Sequence, residues 1–135
     1  MASRKTLRVG VVGVGHLGAR HAQIYAAMPN VRLRTVCDTD APRARRLAKD
    51  LHCQAVTDYR DLLGQVDAVS VAVPSSLHGA LGQWLLSRGI HVLIEKPIAT
   101  RLSEADRLIR AAARGGLVLQ VGHVERFNTA IHAAI

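Results

Sequence analysis

The chain has 135 residues, 49% hydrophobic and 21% charged, which suits one folded domain with its own core and excludes a disordered tail. Its formal net charge is +8, but the 15 arginines are scattered, the densest group being Arg43, Arg45 and Arg46, and aromatics for base stacking make up only 3%. The charge therefore reads as solvated surface with some attraction for anionic cofactors, not as a nucleic-acid site. No stretch approaches the roughly 18 apolar residues of a membrane helix. The polar start Met1–Thr6 has no signal-peptide core, so the expected location is the cytoplasm.

Leu7–Val12 is a β-branched apolar run, expected as a strand buried on both faces. After Gly13-Val14-Gly15, helical spacing runs from His16 to about Met28, where Pro29-Asn30 stops it. Val31–Cys37 predicts a second strand. Asp40 is placed to cap a helix with Pro42 in its first turn and Leu47, Ala48 and Leu51 on one face. Gln54–Val56 predicts a short third strand, Asp58–Leu63 a short helix ended by Gly64, and Asp67–Val73 a fourth strand ended by Pro74. Ser75 or Ser76 is expected to cap a helix through Leu77, Leu81 and Leu85 to Gly89. His91–Ile94 predicts a fifth strand. Ser103 and Asp106 form a capping-box pattern for a helix closed by Gly115-Gly116. Leu117–Val121 predicts a sixth strand, and Phe127–Ile135 the start of another helix.

Strands alternating with helices in this way predict an α/β fold, a doubly wound parallel sheet of the Rossmann type. Residues 1–126 form this domain, and 127–135 begin a connection onward. In such sheets ligands bind beyond the carboxyl ends of the strands, near the reversal in strand order. Cys37 and Cys53 match no metal or redox spacing and read as small apolar residues in a reducing compartment. No residue cluster suggests a metal site.

Gly13-Val14-Gly15-His16-Leu17-Gly18 is a G-x-G-x-x-G between a buried strand and a helix. Gly13 permits the turn, Gly15 lets a pyrophosphate approach, and Gly18 lets the helix lie close to the sheet. The amides of this turn, with His16 and Leu17 opening the helix, are placed to hold the phosphates. His16 faces either the cofactor or solvent. Asp38 ends the second strand, twenty residues beyond Gly18, where a carboxylate accepts ribose hydroxyls and repels a 2′-phosphate. NAD is therefore favoured over NADP, although nearby Arg43 could pair with that phosphate. The glycine triad and this acid leave open a Rossmann-like domain for another ligand, such as S-adenosylmethionine.

Val73-Pro74-Ser75-Ser76-Leu77-His78 ends the fourth strand and Glu95-Lys96-Pro97 the fifth. Together with the glycine turn, these resemble the Gfo/Idh/MocA family of oxidoreductases from Leu7 to about Ala134. The ending Val121–Asn128 is similar to a subgroup acting on nucleotide-linked amino sugars, typified by UDP-N-acetylglucosamine 3-dehydrogenases. Thr129 stands where relatives often have proline.

The resemblance implies hydride transfer between nicotinamide and a hydroxyl carbon of a sugar, nucleotide sugar or cyclitol. It gives Lys96 an active-site role, and its ammonium suits the stabilisation of developing alkoxide charge. It also sets Glu95 beside the cofactor. Val73, Pro74 and Ser75 lie along the cofactor, with Ser75 offering a hydroxyl or amide near the ribose or pyrophosphate. His78 reads more as a structural hydrogen-bonding residue than as a chemical one. His123 and Arg126 follow the sixth strand on the substrate side, Arg126 being either a contact for an anionic substrate or a surface residue. Relatives are homo-oligomeric and carry a second α/β domain that supplies the substrate pocket. The expectation is a cofactor-binding half that binds NAD without turnover. The rival is a non-catalytic dinucleotide-sensing or scaffold module, against which Lys96 argues.

Overall fold

The computed structural model describes residues 5–122. Among these, six strands form one parallel sheet: β1 (Leu7–Val12), β2 (Val31–Cys37), β3 (Gln54–Val56), β4 (Ala68–Val71), β5 (His91–Glu95) and β6 (Leu119–Gly122). Their spatial order is β3-β2-β1-β4-β5-β6. The chain builds outward from β1 to β3, then returns to lay β4 against the other side of β1. Connections leave the β1–β4 boundary in opposite directions, so a crevice opens at the carboxyl edge there.

Alternation along the strands loads both faces. Val9, Val11, Leu33 and Val36 pack on Ala22 of α1 (His16–Ala27) and on Ala44 and Ala48 of α2 (Ala41–Leu51). Val69, Val71, Val92 and Ile94 belong to a second cluster with Leu81, Leu85 and Leu86 of α3 (His78–Ser87) and Leu108 and Ala112 of α4 (Leu102–Gly115). Both faces are therefore covered largely by aliphatic side chains, the Val, Leu and Ile among them each contributing about 1.5–3 kcal/mol when fully buried. None of the helices described is long and apolar enough to cross a membrane.

Asp40 caps α2 as expected, accepting from the Arg43 amide at 3.1 Å, with proline in the first turn. Gly116 closes α4 at φ +63°. Several boundaries move. β4 ends at Val71 rather than Val73. Ser75–Leu77 is a 3-10 turn leading into α3, and no side chain caps either element. The capping box expected at Ser103 does not form: Arg101 holds the extended backbone before α4, which places Ser103 inside the first turn. Asp58 caps only a 3-10 turn, Tyr59–Leu62. The helix expected at Phe127–Ile135 lies outside the described residues.

Candidate functional site at the carboxyl edge

Three glycines shape the β1–α1 turn, each for a different reason. Gly13 has φ +87°, and a Cβ there would lie 2.5 Å from the Ala72 carbonyl oxygen. A Cβ on Gly18 would run into the Gly13 carbonyl oxygen, so only glycine lets α1 start this close to the strand end. Gly15 differs: its Cβ would meet nothing nearer than Arg43 Nη1 at 3.7 Å. Within the protein, nothing demands glycine there. The bare backbone at Gly15 faces open space, at the N-terminus of a helix with no acid in its first turn. First-turn amides lack acceptors within their own helix, so this is a natural seat for an anion.

The turn is tied to the end of β2. The Gly13 amide donates to the Cys37 carbonyl at 2.8 Å, and the Val14 amide to Asp38 Oδ2 at 2.9 Å. Asp38 Oδ1 accepts from the Asp40 amide at 2.9 Å, which fixes the carboxylate. Arg43 bridges the acids, with Nη1 3.6 Å from Asp38 Oδ2 and Nη2 3.5 Å from Asp40 Oδ2, while remaining half-exposed. Between this wall and the β4–α3 connection lies a cavity of about 600 Å³, lined by Gly13, Gly15, Asp38, Val73, Pro74 and Leu77 among others. Such a volume suits the adenosine part of a dinucleotide. Cys37 also lines it, but burial, reinforced by Asp38, pushes its thiol up to about 12, so it is an inert wall.

Beyond the crevice, β4 and β5 end side by side. His78 is fully buried, with Nδ1 2.7 Å from the Pro97 carbonyl oxygen and Nε2 2.9 Å from that of Val73. It straps the β4 end to the loop after β5, in keeping with a structural role and not with contact to a cofactor. The Lys96–Pro97 peptide is cis. Lys96 is exposed, the first residue beyond β5 on the edge that carries the glycine turn. His16 and Leu17 are exposed at the start of α1. Glu95 departs from expectation. It is 6% exposed and turned under α1, where Oε1 lies 2.6 Å from His21 Nε2. Alternation in β5 places Glu95 on the face opposite Ile94, hence toward α1. His123 and Arg126 lie outside the described residues. Among the described residues, no group of three or more His, Cys, Asp or Glu could hold a metal ion.

The profile of the Gfo/Idh/MocA oxidoreductases, described as an oxidoreductase family with an NAD-binding Rossmann fold, matches residues 7–123. The chain belongs to the Gfo/Idh/MocA family. It is 46% identical over 125 residues to a UDP-N-acetylglucosamine 3-dehydrogenase of Acidithiobacillus ferrooxidans, covering 93% of this chain and 39% of that one. A solved structure of that enzyme superposes with a TM-score of 0.89 at 44% identity, covering 95% of this chain and 42% of the other. A scyllo-inositol dehydrogenase from Lactobacillus casei, solved with NAD(H) and scyllo-inositol, gives a TM-score of 0.88 at 27% identity, covering 96% and 40%. The chain thus spans about two-fifths of the length of these relatives.

NAD is the cofactor of this Gfo/Idh/MocA fold, and the residues present fit it: the bare Gly15 backbone, the acceptor Asp38 and the cavity between them. The glycine turn, Asp38, Val73, Pro74 and Ser75 come together along one edge with Lys96 at its far side. Sequence reasoning missed His21, whose partner lies 74 residues away. The available signal was its place one turn into the helix after the glycine loop, on the side that faces the sheet.

Proposed function

We propose that this domain holds NAD for a dehydrogenase acting on a hydroxyl carbon of a sugar, with nucleotide-linked amino sugars as the substrate class. The observation that carries this is the common edge: the bare backbone at Gly15 and the carboxylate of Asp38 line one cavity, and β5 ends on the same edge with Lys96 as its next residue. The identity to the Acidithiobacillus ferrooxidans enzyme supports the substrate class. When bound, NAD supplies the hydride acceptor. The first-turn amides of α1 hold its diphosphate, and Asp38 takes the adenosine ribose hydroxyls while excluding a 2′-phosphate. Lys96 hydrogen-bonds the reacting hydroxyl and stabilises the charge that develops on its oxygen. The rest of the substrate pocket comes from outside these residues. A reducing compartment such as the cytoplasm suits the two free cysteines.

Two measurements test this. The 135-residue chain should bind NADH by fluorescence titration yet form no NADH with UDP-N-acetylglucosamine. A longer protein carrying this domain should reduce NAD with that sugar, and Lys96→Met should lower kcat by about 100-fold or more with NADH affinity nearly unchanged. Turnover that survives Lys96→Met would remove lysine from the chemistry. Absence of NADH binding by the folded chain would remove the cofactor reading.

A further inference from the structure

We infer that His21 and Glu95 form a buried clasp that positions the nicotinamide end of the cofactor site relative to its diphosphate end, an inference that rests on the cofactor reading above. The two residues belong to opposite ends of the crevice. His21 sits on α1, six residues past Gly15. Glu95 is the last residue of β5, immediately before Lys96. Between β1, which leads into α1, and β5 runs β4, so this contact joins α1 directly to a strand two places away in the sheet.

The clasp is a chain of four polar side chains. Tyr25 Oη lies 2.5 Å from Ser70 Oγ, and Ser70 Oγ lies 3.2 Å from His21 Nδ1. His21 Nε2 lies 2.6 Å from Glu95 Oε1. Donors and acceptors match along it: with Nε2–H donating to the carboxylate, the Ser70 hydroxyl can donate to Nδ1 and accept from Tyr25. The side chains of His21 and Glu95 are 14% and 8% exposed. On the neighbouring strand β6, a Cβ on Gly122 would lie 3.0 Å from Glu95 Oε1, so the carboxylate packs closely against the bare backbone there.

Stability alone does not account for the pair. Apolar residues of similar size would bury here at least as favourably, as Val92 and Ile94 do on the other face of the same strand. What a short hydrogen bond adds over aliphatic packing is a fixed distance and direction between α1 and β5. Glu95 is one residue from Lys96, so an error at Glu95 is passed directly to the lysine and to the surface beside it. An error of about 1 Å at such a site is enough to change binding or rate by orders of magnitude.

The test uses this chain with two ligands, NADH and ADP-ribose, the second lacking the nicotinamide. His21→Leu fills the space but removes the donor. It should weaken NADH binding by about tenfold while ADP-ribose stays within about twofold of the parent. His21→Gln carries a side-chain amide near the position of Nε2 and should restore NADH binding to within about threefold. Should His21→Leu not fold, His21→Asn, too short to reach Glu95, is read in the same way. Equal losses for both ligands would reduce the pair to a structural role and overturn the inference. So would unchanged NADH affinity in His21→Leu, or a glutamine variant as weak as the leucine one. If the parent chain itself binds neither ligand, the cofactor reading fails first and the clasp with it; if it binds ADP-ribose but His21→Leu shows no selective loss, only the clasp fails.

Discussion

The glycine turn offers a sharp separation between binding and folding. Gly15→Ser places a Cβ and hydroxyl where the nearest protein atom is Arg43 Nη1 at 3.7 Å, and serine is a favoured residue at the N-cap that Gly15 occupies. The fold should not notice it. A diphosphate would, because the added atoms stand between it and the backbone amides. Losing one charge-assisted hydrogen bond is worth about 1.5–3 kcal/mol, which corresponds to NADH affinity falling by about 10- to 150-fold. Gly18→Ala is the opposite case. Its methyl enters the Gly13 carbonyl oxygen, so α1 has to move off the strand end. Overpacking of this kind costs about 1–3 kcal/mol. For 135 residues the unfolding entropy is about 0.28 kcal/mol/K, so Tm should fall by about 4–10 °C. Thermal melts by circular dichroism and NADH fluorescence titrations on both variants measure the two quantities. Gly15→Ser melting as low as Gly18→Ala, or binding NADH as the parent does, would refute this division of roles.

At the end of β2, Asp38→Ser removes the charge opposing a 2′-phosphate and frees Arg43 from one of its two acids, leaving only Asp40. The ratio of NADPH to NADH affinity should rise by about tenfold or more, and an unchanged ratio would place discrimination elsewhere. The opposite edge of the sheet supplies a pH prediction. Hydrogen bonds and charge from Arg8 hold Asp67 down to about 2 from its ordinary 3.8. Because the folded value is the lower one, the stabilisation is complete above about pH 4 and disappears as pH falls through about 2. With solvent screening at the rim it amounts to about 1 kcal/mol, so melts of the parent and Asp67→Asn should differ at pH 6 and converge toward pH 2. Cys37, with its thiol pushed up to about 12, should react with a disulfide reagent at pH 8 only as fast as the chain unfolds, measured in a Cys53→Ser background. Rapid labelling under native conditions would contradict its place in the cavity wall.

Local chemistry made much of this domain legible in its sequence. β-branched runs, the proline and glycine stops, Asp40 before Ala41-Pro42 and the αL glycine at 116 act within a few residues, and the alternation of strands with helices then implies a doubly wound parallel sheet, whose order β3-β2-β1-β4-β5-β6 the structure supplied. Asp38 and the glycine turn were readable because their spacing is set by one strand–turn–helix unit. Ser103 and the Ser75–Ser76 pair misled because many residues satisfy a capping pattern, and the backbone selects one start according to how the helix docks on the sheet. The direction of Glu95 was of another kind. Strand alternation gave its face, but its burial depended on a histidine from α1, a serine from β4 and the space left by Gly122 on β6. The sequence by itself determined which elements form and which residues reach the carboxyl edge, since both are governed by neighbours along the chain. Only the tertiary structure decided that Gly15 stands bare, that His78 is a strap and that Glu95 turns inward, because those facts depend on which atoms from distant segments fill, or leave empty, the same few cubic ångströms.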